Sequence, residues 1–228
     1  MIRRVLMNKE TILKVQDCLG LERQIVGVRF LVYEKDFENS PAEEFNGKIR
    51  LCGFISKAGK GRKFKVTKEN FGCSGGPTQT GMSVVSEGFK SGQVHKYSGL
   101  YSDLAIARNI SDSLMRIPQK IYGLEIMPLS EMDDADVVVV IGFAESIMKL
   151  VQGYTYSYGV PQNYISVGNA AACSDMVSKP FMKNDINLSF MCCGARTSTL
   201  SDHGELGMGI PMNKFYGIAD GVLAIYSK

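Results

Sequence analysis

The pattern of apolar and polar positions along the chain predicts a mixture of helices and strands. Residues 9–19 carry apolar side chains at helical spacing, and the pattern ends at Gly20, a residue that commonly terminates helices. The same spacing predicts a helix over residues 102–116, ahead of Pro118, and a short helix over residues 146–152.

Continuous apolar runs predict strands over residues 25–33, 136–143 and 221–226. The second run contains four consecutive valines followed by an isoleucine, a composition typical of a buried strand. The glycine-rich segments around the cysteines are expected to be loops or strand ends. The expected fold class is therefore α/β or α+β with a mixed β-sheet, whose strand order the sequence does not supply.

Two cysteine segments share the pattern Phe-x-Cys-[Ser/Cys]-Gly, one around Cys73 and the other around Cys192. Each is preceded by a further cysteine: Cys52 lies 21 residues before Cys73, and Cys173 lies 19 residues before Cys192. Cys193 stands where the first segment has a serine. The agreement in order and spacing indicates an internal duplication.

A third similarity supports the same division. The segment at residues 117–126 and the segment at residues 210–219 both begin with Ile-Pro and contain Tyr-Gly further on. The duplication hypothesis places a first lobe over residues 1–127 and a second over residues 128–228, packed as one compact unit. The alternative is a chance resemblance between short motifs.

Composition describes an ordinary folded protein: 45% of the 228 residues are hydrophobic and 21% are charged. A net charge of +3 is too small to indicate nucleic acid or an anionic membrane as a partner. No apolar run reaches the roughly 20 residues needed to cross a bilayer, and the start of the chain does not resemble a signal peptide. We therefore expect a cytoplasmic protein with neither membrane nor nucleic acid among its partners.

The six cysteines are the strongest candidates for chemistry, because cytosolic cysteines are more often thiols, redox groups or metal ligands than disulfides. With only two histidines in the chain, sulfur has to supply most ligands of any metal. A pseudo-two-fold arrangement would bring four thiolates to one site, although each lobe could hold its own centre. The proposed metal ligands are Cys52, Cys73, Cys173 and either Cys192 or Cys193.

Four thiolates suit an iron–sulfur cluster, for which we expect the 4Fe-4S type, or alternatively zinc. The neighbouring glycines would allow the backbone to approach a cluster closely. None of the cysteine pairs has Cys-x-x-Cys spacing, so buried free thiols acting as small apolar residues remain the alternative. Cys18 has no counterpart in the other lobe and is expected to lie outside the site.

Other polar residues offer further roles. Arg196 follows the cysteine pair and could bind an anionic substrate through its guanidinium group, or pair with a nearby carboxylate. A cysteine nucleophile would need a base, for which His95 and His203 are the conventional candidates. The basic segment at residues 60–68 is interpreted as a solvated hairpin or loop, since it lacks a phosphate-binding motif.

The cysteine motifs and their surroundings resemble the ArCR family, a group of unknown function found largely in archaea and anaerobic bacteria. The resemblance rests on LGLERQIVGVRF, LCGFISKAGKG, ENFGCSGG, AACSD and CCGAR followed by GELGMGIP, which together extend over nearly the whole chain. It implies an anaerobic cytosolic setting, which would permit an oxygen-sensitive cluster. The family typically has one cysteine before the Gly-Ala-Arg element, where this chain has two.

The leading hypothesis is an iron–sulfur protein with a redox, electron-transfer or sulfur-chemistry role on a small molecule. Its partners would be a small-molecule substrate or a redox partner protein, and a homodimer is the assembly to test. Two alternatives stay open: a zinc- or small-ligand-binding module without catalysis, and an enzyme that uses Cys73 or Cys192 as a nucleophile.

Overall fold

The computed structural model describes residues 8–199 and 202–227, so the outer ends of the two predicted lobes, at residues 1 and 228, lie outside it. The described strands form one six-stranded sheet in the order β2-β3-β1-β4-β6-β5, and every pairing in this sheet is antiparallel. The strands are β1 (Val26–Leu31), β2 (Phe64–Thr67), β3 (Gly123–Pro128), β4 (Val137–Gly142), β5 (Asn187–Ser189) and β6 (Leu206–Pro211). The predicted combination of helices with a β-sheet is confirmed, whereas the sheet is antiparallel and not mixed.

Along the chain, most of the helices lie in the connections between strands. They are α1 (Lys9–Leu19), α2 (Glu34–Asn39), α3 (Leu51–Ala58), α4 (Gly75–Gln79), α5 (Glu87–Lys90), α6 (Gln93–Lys96), α7 (Leu104–Ser113), α8 (Ala144–Tyr158), α9 (Lys179–Lys183), α10 (Cys193–Thr199) and α11 (Met212–Tyr226). A π-helix, Ala171–Ser178, runs directly into α9. None of the described helices has the length and apolarity needed to span a membrane.

The local predictions are largely confirmed for helices and less so for strands. The helix predicted over residues 9–19 is α1, and its C-cap Gly20 adopts the left-handed conformation at φ 65°. The strand predicted over residues 221–226 is wrong, because these residues form the last turns of α11. Buried side chains recur along α11 every three or four residues from Phe215 to Val222, so the short apolar run belongs to a longer helical stripe.

Helices cover both faces of the sheet. Helices α1, α8 and α11 form one core with Val138 and Val140 of β4. On the other face, α3 and the π-helix form a second core that includes Val137 and Val139. The valine run of β4 is therefore buried on both sides, which explains its continuous apolar character although its neighbours are antiparallel.

Glycines in β6 allow the π-helix to lie directly against the sheet. A Cβ atom at Gly209 would clash with the backbone carbonyl of Met176, and one at Gly207 would clash with the Met176 side chain. Because a backbone atom cannot move aside as a flexible side chain can, Gly209 determines how closely the π-helix approaches β6.

The strands divide into two sets of three along the chain. The first set occupies one side of the sheet in the order β2-β3-β1, and the second set occupies the other side in the order β4-β6-β5. In each set the third strand lies between the first and the second. β1 and β4 meet at the centre of the sheet, where Gly27 is opposite Val138.

The pairing registers of the two sets correspond as well. Val26, the first residue of β1, is opposite Pro128, the last residue of β3. Val137, the first residue of β4, is opposite Pro211, the last residue of β6. The same geometric relation therefore joins the first and third strands on both sides of the sheet.

The two Ile-Pro segments do not follow this correspondence. Residues 117–126 lead into β3, whereas residues 210–219 contain the end of β6 and the start of α11. This third sequence similarity therefore joins segments that occupy different positions in the fold.

Candidate functional site

The five predicted cysteine ligands line a single cavity of about 370 Å³. They come from four separate segments of the chain, and they are Cys52, Cys73, Cys173, Cys192 and Cys193. The described cysteines are free thiols. The tertiary structure thus brings together the residues that the sequence pattern singled out.

Each of the five cavity cysteines lies in or beside the first turn of a helix. Cys52 is the second residue of α3, and Cys73 lies two residues ahead of α4. Cys173 is the third residue of the π-helix. Cys192 immediately precedes α10, whose first residue is Cys193. Backbone N–H groups in the first turn of a helix have no intrahelical partner and favour negative charge, so such positions suit thiolates.

One hydrogen bond connects the first and last of these segments, and another lies within the last. The Cys52 thiol donates to the carbonyl oxygen of Gly194 with a donor–acceptor distance of 3.7 Å. The Ala195 N–H donates to Cys192 Sγ at 3.3 Å, so this sulfur caps the start of α10. Cys192 is partly buried whereas Cys193 is exposed, which distinguishes the two adjacent cysteines.

The backbone next to two of the cysteines is unusual. Ala170, the N-cap of the π-helix, has φ 52°, and Met191, directly before Cys192, has φ 67°. Non-glycine residues seldom adopt this left-handed conformation, which carries a small energetic cost. Both π-helical turns and strained residues concentrate at functional sites, so the local structure agrees with a site at these cysteines.

A buried hydrogen-bond network holds the π-helix in place. The Asp175 carboxylate accepts hydrogen bonds from Ser166 Oγ at 2.7 Å and from Ser189 Oγ, at the end of β5, at 3.1 Å. Lys179 Nζ lies 3.4 Å from the same carboxylate and donates to the carbonyl oxygen of Ile165 at 2.6 Å. Because these groups satisfy one another, the helix that carries Cys173 is fixed to the neighbouring strand.

Electrostatics distinguish Cys173 from the other cavity cysteines. Burial raises the pKa of the Cys173 thiol well above its ordinary value, and the nearby sulfurs of Cys73, Cys192 and Cys52 raise it further. These four side chains are therefore close enough for their thiolates to repel one another. Among the residues that the structure describes, no group of three or more His, Cys, Asp or Glu side chains is close enough to hold a metal ion.

Several polar residues also lie in the cavity wall, although the sequence does not group them into one site. Gln79 at the end of α4 and His95 in α6 are buried, and Asn169 precedes the π-helix. Arg50, the exposed N-cap of α3, also lines the cavity. From the sequence, His95 is a candidate only for a general base, and no motif identifies Gln79, Asn169 or Arg50.

Arg196 does not line the cavity. Its guanidinium group donates to backbone carbonyl oxygens, among them those of Phe190 at 2.9 Å and Asp202 at 3.2 Å. It thereby ties α10 to the segments before and after it. The proposed substrate-binding role of Arg196 has no support from this placement. Cys18 packs against the core on the opposite face of the sheet, as expected for a cysteine outside the site.

Fold and site together define an α/β protein with one antiparallel sheet and a cavity that collects cysteines from both halves of the chain. The family model described as uncharacterised ArCR matches residues 14–221, and the chain belongs to this family. It is also similar to the uncharacterized protein MJ0308 of Methanocaldococcus jannaschii, with 24% identity over 217 residues that cover 94% of this chain and 93% of that protein. No solved structure matches the chain significantly.

Proposed function

We propose that the chain is an iron–sulfur protein whose cluster, of the 4Fe-4S type, is bound by Cys52, Cys73, Cys173 and Cys192. Cys193 is the alternative to Cys192. The observation that carries the proposal is the convergence of these cysteines, from four distant segments, on one cavity. Thiolate sulfur is the usual ligand of such clusters.

A bound cationic centre would change the electrostatics of the cavity. Without one, burial raises the pKa of the Cys173 thiol, and repulsion from the neighbouring sulfurs raises it further. Metal ions would offset this repulsion and hold all four sulfurs as thiolates. The Ala195 N–H that points to Cys192 Sγ resembles the hydrogen bonds that tune cluster sulfurs.

A cluster and a single zinc ion differ in how far apart they hold their cysteine sulfurs. A tetrahedral zinc site needs its four sulfurs within roughly 4 Å of one another, given Zn–S bonds of about 2.3 Å. No described group of side chains converges in that way. A cluster is larger because sulfide bridges its metal ions, so its ligands can stand farther apart around a cavity.

We further propose that the two halves arose by internal duplication. The equivalent strand orders and the equivalent Val26–Pro128 and Val137–Pro211 registers support this. In each half, one cysteine lies in a helix before the outermost strand and another follows that strand: Cys52 and Cys73 flank β2, and Cys173 and Cys192 flank β5. Two copies would thus contribute two ligands each.

When bound, the cluster would supply one-electron transfer or support sulfur chemistry on a small molecule. A second hollow of about 310 Å³ beside the site is lined by Lys48, Arg50 and Lys57, together with Gly53 and Gly72. Such a basic surface next to the cysteines would attract an acidic redox partner protein. An oxygen-sensitive cluster fits best with an anaerobic cytoplasm.

Anaerobic purification with iron and sulfide analysis tests the proposal. We expect a brown protein with broad visible absorption and equal molar amounts of iron and inorganic sulfide. A colourless protein that contains zinc alone would instead support the binding-module alternative. A metal-free protein with one cysteine that is alkylated far faster than the others would support a thiol enzyme.

A further inference from the structure

Part of the cavity wall carries buried polar atoms that have no partner. The side chain of Gln79 has 0% relative exposure, and neither its amide nitrogen nor its amide oxygen makes a hydrogen bond within the described part of the chain. His95, with 4% exposure, has an unpartnered Nε2. Both residues belong to the wall of the cavity that contains the cysteines. Their unpartnered atoms are covered in this structure, so a ligand reaches them when the wall side chains shift. Buried polar groups are nearly always paired, so such atoms require an explanation.

The hydrogen bonds around Asn169 establish which nitrogen of His95 carries the proton. Asn169 Oδ1 accepts from the Ala170 N–H at 2.8 Å, which orients the amide so that its nitrogen faces His95 Nδ1 at 3.1 Å. An amide nitrogen only donates, so Nδ1 is the acceptor. The proton of the neutral ring is then on Nε2, which becomes an unpartnered N–H donor.

His95 is held in the neutral form. Burial lowers the pKa of its imidazole, and the positive charge of Arg116 lowers it further. His95 Nε2–H is therefore a hydrogen-bond donor at neutral pH and is not available as a base toward the cysteines. This argues that the residue recognises a ligand.

We propose that Gln79 and His95 bind a small, uncharged organic molecule that presents a lactam or carboxamide edge. The Gln79 amide offers one donor and one acceptor, which match the C=O and N–H of such an edge. His95 Nε2–H donates to a further acceptor atom of the same molecule. The inference rests on the proposed function in that it names the class of substrate for the redox site, although binding itself does not require a cluster.

The rest of the lining agrees with a neutral ligand. Apolar side chains, including Phe89, Val94 and Leu100, contribute to the same wall. Among the described side chains that line the cavity, that of the exposed Arg50 is the one with a permanent charge. A site with an apolar wall and a few fixed polar atoms is the usual form of a small-molecule pocket.

The probe is 2-pyridone, whose ring presents adjacent C=O and N–H groups, and N-methyl-2-pyridone is the control ligand that lacks the donor. Binding is followed by saturation-transfer NMR and titration on anaerobically purified protein whose iron and sulfide are measured in the same sample. We expect 2-pyridone to bind and N-methyl-2-pyridone to bind at least about tenfold more weakly, because Gln79 would lose a partner.

The variant Gln79→Leu removes both unpartnered atoms at similar volume. It is expected to weaken 2-pyridone binding at least about tenfold without lowering Tm, because no protein hydrogen bond is lost. Cys18→Ser, on the opposite face of the sheet, is the matched control and should bind as the wild type does. Gln79→Met serves as a second variant if Gln79→Leu does not fold.

Three results would overturn the inference: no binding of 2-pyridone, equal binding by wild type and the Gln79 variants, or equal binding of the two pyridones. A lower Tm, or failure to fold, in both Gln79 variants would show that ordered water satisfies the amide, and would overturn it too. Absence of iron together with Gln79-dependent binding would remove the proposed cluster and leave the ligand site. Iron and sulfide in a protein that does not bind 2-pyridone would remove the ligand site and leave the proposed cluster.

Discussion

The thiol of Cys52 lies 3.7 Å from the carbonyl oxygen of Gly194, a residue 142 positions further along the chain. This contact joins the first turn of α3 to the first turn of α10, and so joins a cysteine segment of the first half to one of the second. The site exists only because the two halves of the sheet bring these helix ends together. Disruption of either half should therefore affect the whole site.

Removal of single cysteines tests the proposed ligand set. Cys73→Ser and Cys173→Ser should lose most of the bound iron and sulfide, because each removes one of four thiolate ligands. Cys18→Ser should retain the wild-type content, since Cys18 packs in the other core. Metal and sulfide analysis of the three anaerobically purified variants provides the measurement. Equal losses in Cys18→Ser and Cys73→Ser would contradict the assignment.

A methyl group at Gly209 should separate the π-helix from the sheet. Gly209→Ala places a Cβ against the Met176 carbonyl. We expect the free energy of unfolding to fall by about 3 kcal/mol. The metal content should fall as well, because the π-helix that carries Cys173 shifts. Gly59→Ala is the control: Gly59 has φ −61°, and the nearest atoms to its new Cβ lie at 3.5 Å. Urea unfolding should show a near-neutral or slightly stabilising effect for the control. Similar losses in both variants would argue against the close approach.

Arg23 and Glu205 form a bidentate ion pair that should be important for stability. Arg23 Nε and Nη2 donate to the two carboxylate oxygens at 2.7 and 3.0 Å, and the side chains are only 12% and 5% exposed. Arg23→Met should lower the free energy of unfolding by about 3 kcal/mol, because it leaves a buried carboxylate without its partner. The exposed pair of Lys14 and Glu10 is the control, and Lys14→Met should cost less than about 1 kcal/mol.

The same pair predicts a pH dependence. Although burial alone would raise the pKa of Glu205, hydrogen bonds from Arg23 and from the Asp202 N–H lower it below the ordinary value of 4.5. A lowered carboxyl pKa contributes stability that is present above the unfolded-state value and is lost as pH falls through the folded-state value. Glu205→Gln should therefore reduce the acid sensitivity of unfolding below about pH 4.5. An unchanged acid transition would show that the pair contributes little.

His95 should make the protein less stable as pH falls. Its pKa is lowered from the ordinary value of 6.5, chiefly by burial, so the unfolded state binds more protons just below that value. Stability is therefore retained above about pH 6.5 and declines as pH falls below it. Ring NMR signals can follow the titration directly, since the chain has only two histidines. His95→Gln should show a flatter dependence between pH 7 and pH 5, and an equally steep one would count against this account.

Cys173 should react slowly with alkylating reagents in the metal-free protein. Its pKa is raised by burial and by the neighbouring sulfurs, so the reactive thiolate is scarce at neutral pH. Iodoacetamide labelling with peptide mass spectrometry should show much faster modification of the exposed Cys193 at pH 7, with the rate at Cys173 rising as pH increases. In urea the two rates should become similar, and a persistent difference there would mean that the fold is not the cause.

Much of the local structure could be predicted because it depends on neighbouring residues. The helical spacing before Gly20 and the valine run of β4 identify their elements directly. The strand prediction for residues 221–226 is wrong, since a short apolar segment is compatible with a strand or a buried helix. The all-antiparallel pairing was also missed, because strand order depends on contacts between distant parts of the chain.

The sequence by itself determined which residues supply sulfur and that they recur in two matched segments, because spacing along the chain is a property of the chain alone. Only the tertiary structure decided that five cysteines share a cavity and that Arg196 is occupied by backbone carbonyls. It also decided that the Gln79 amide and His95 Nε2 are buried without a partner in the described part of the chain. The physical reason is that burial and hydrogen-bond pairing depend on how helices from both halves pack against the sheet. No local pattern encodes which polar atoms that packing leaves unsatisfied.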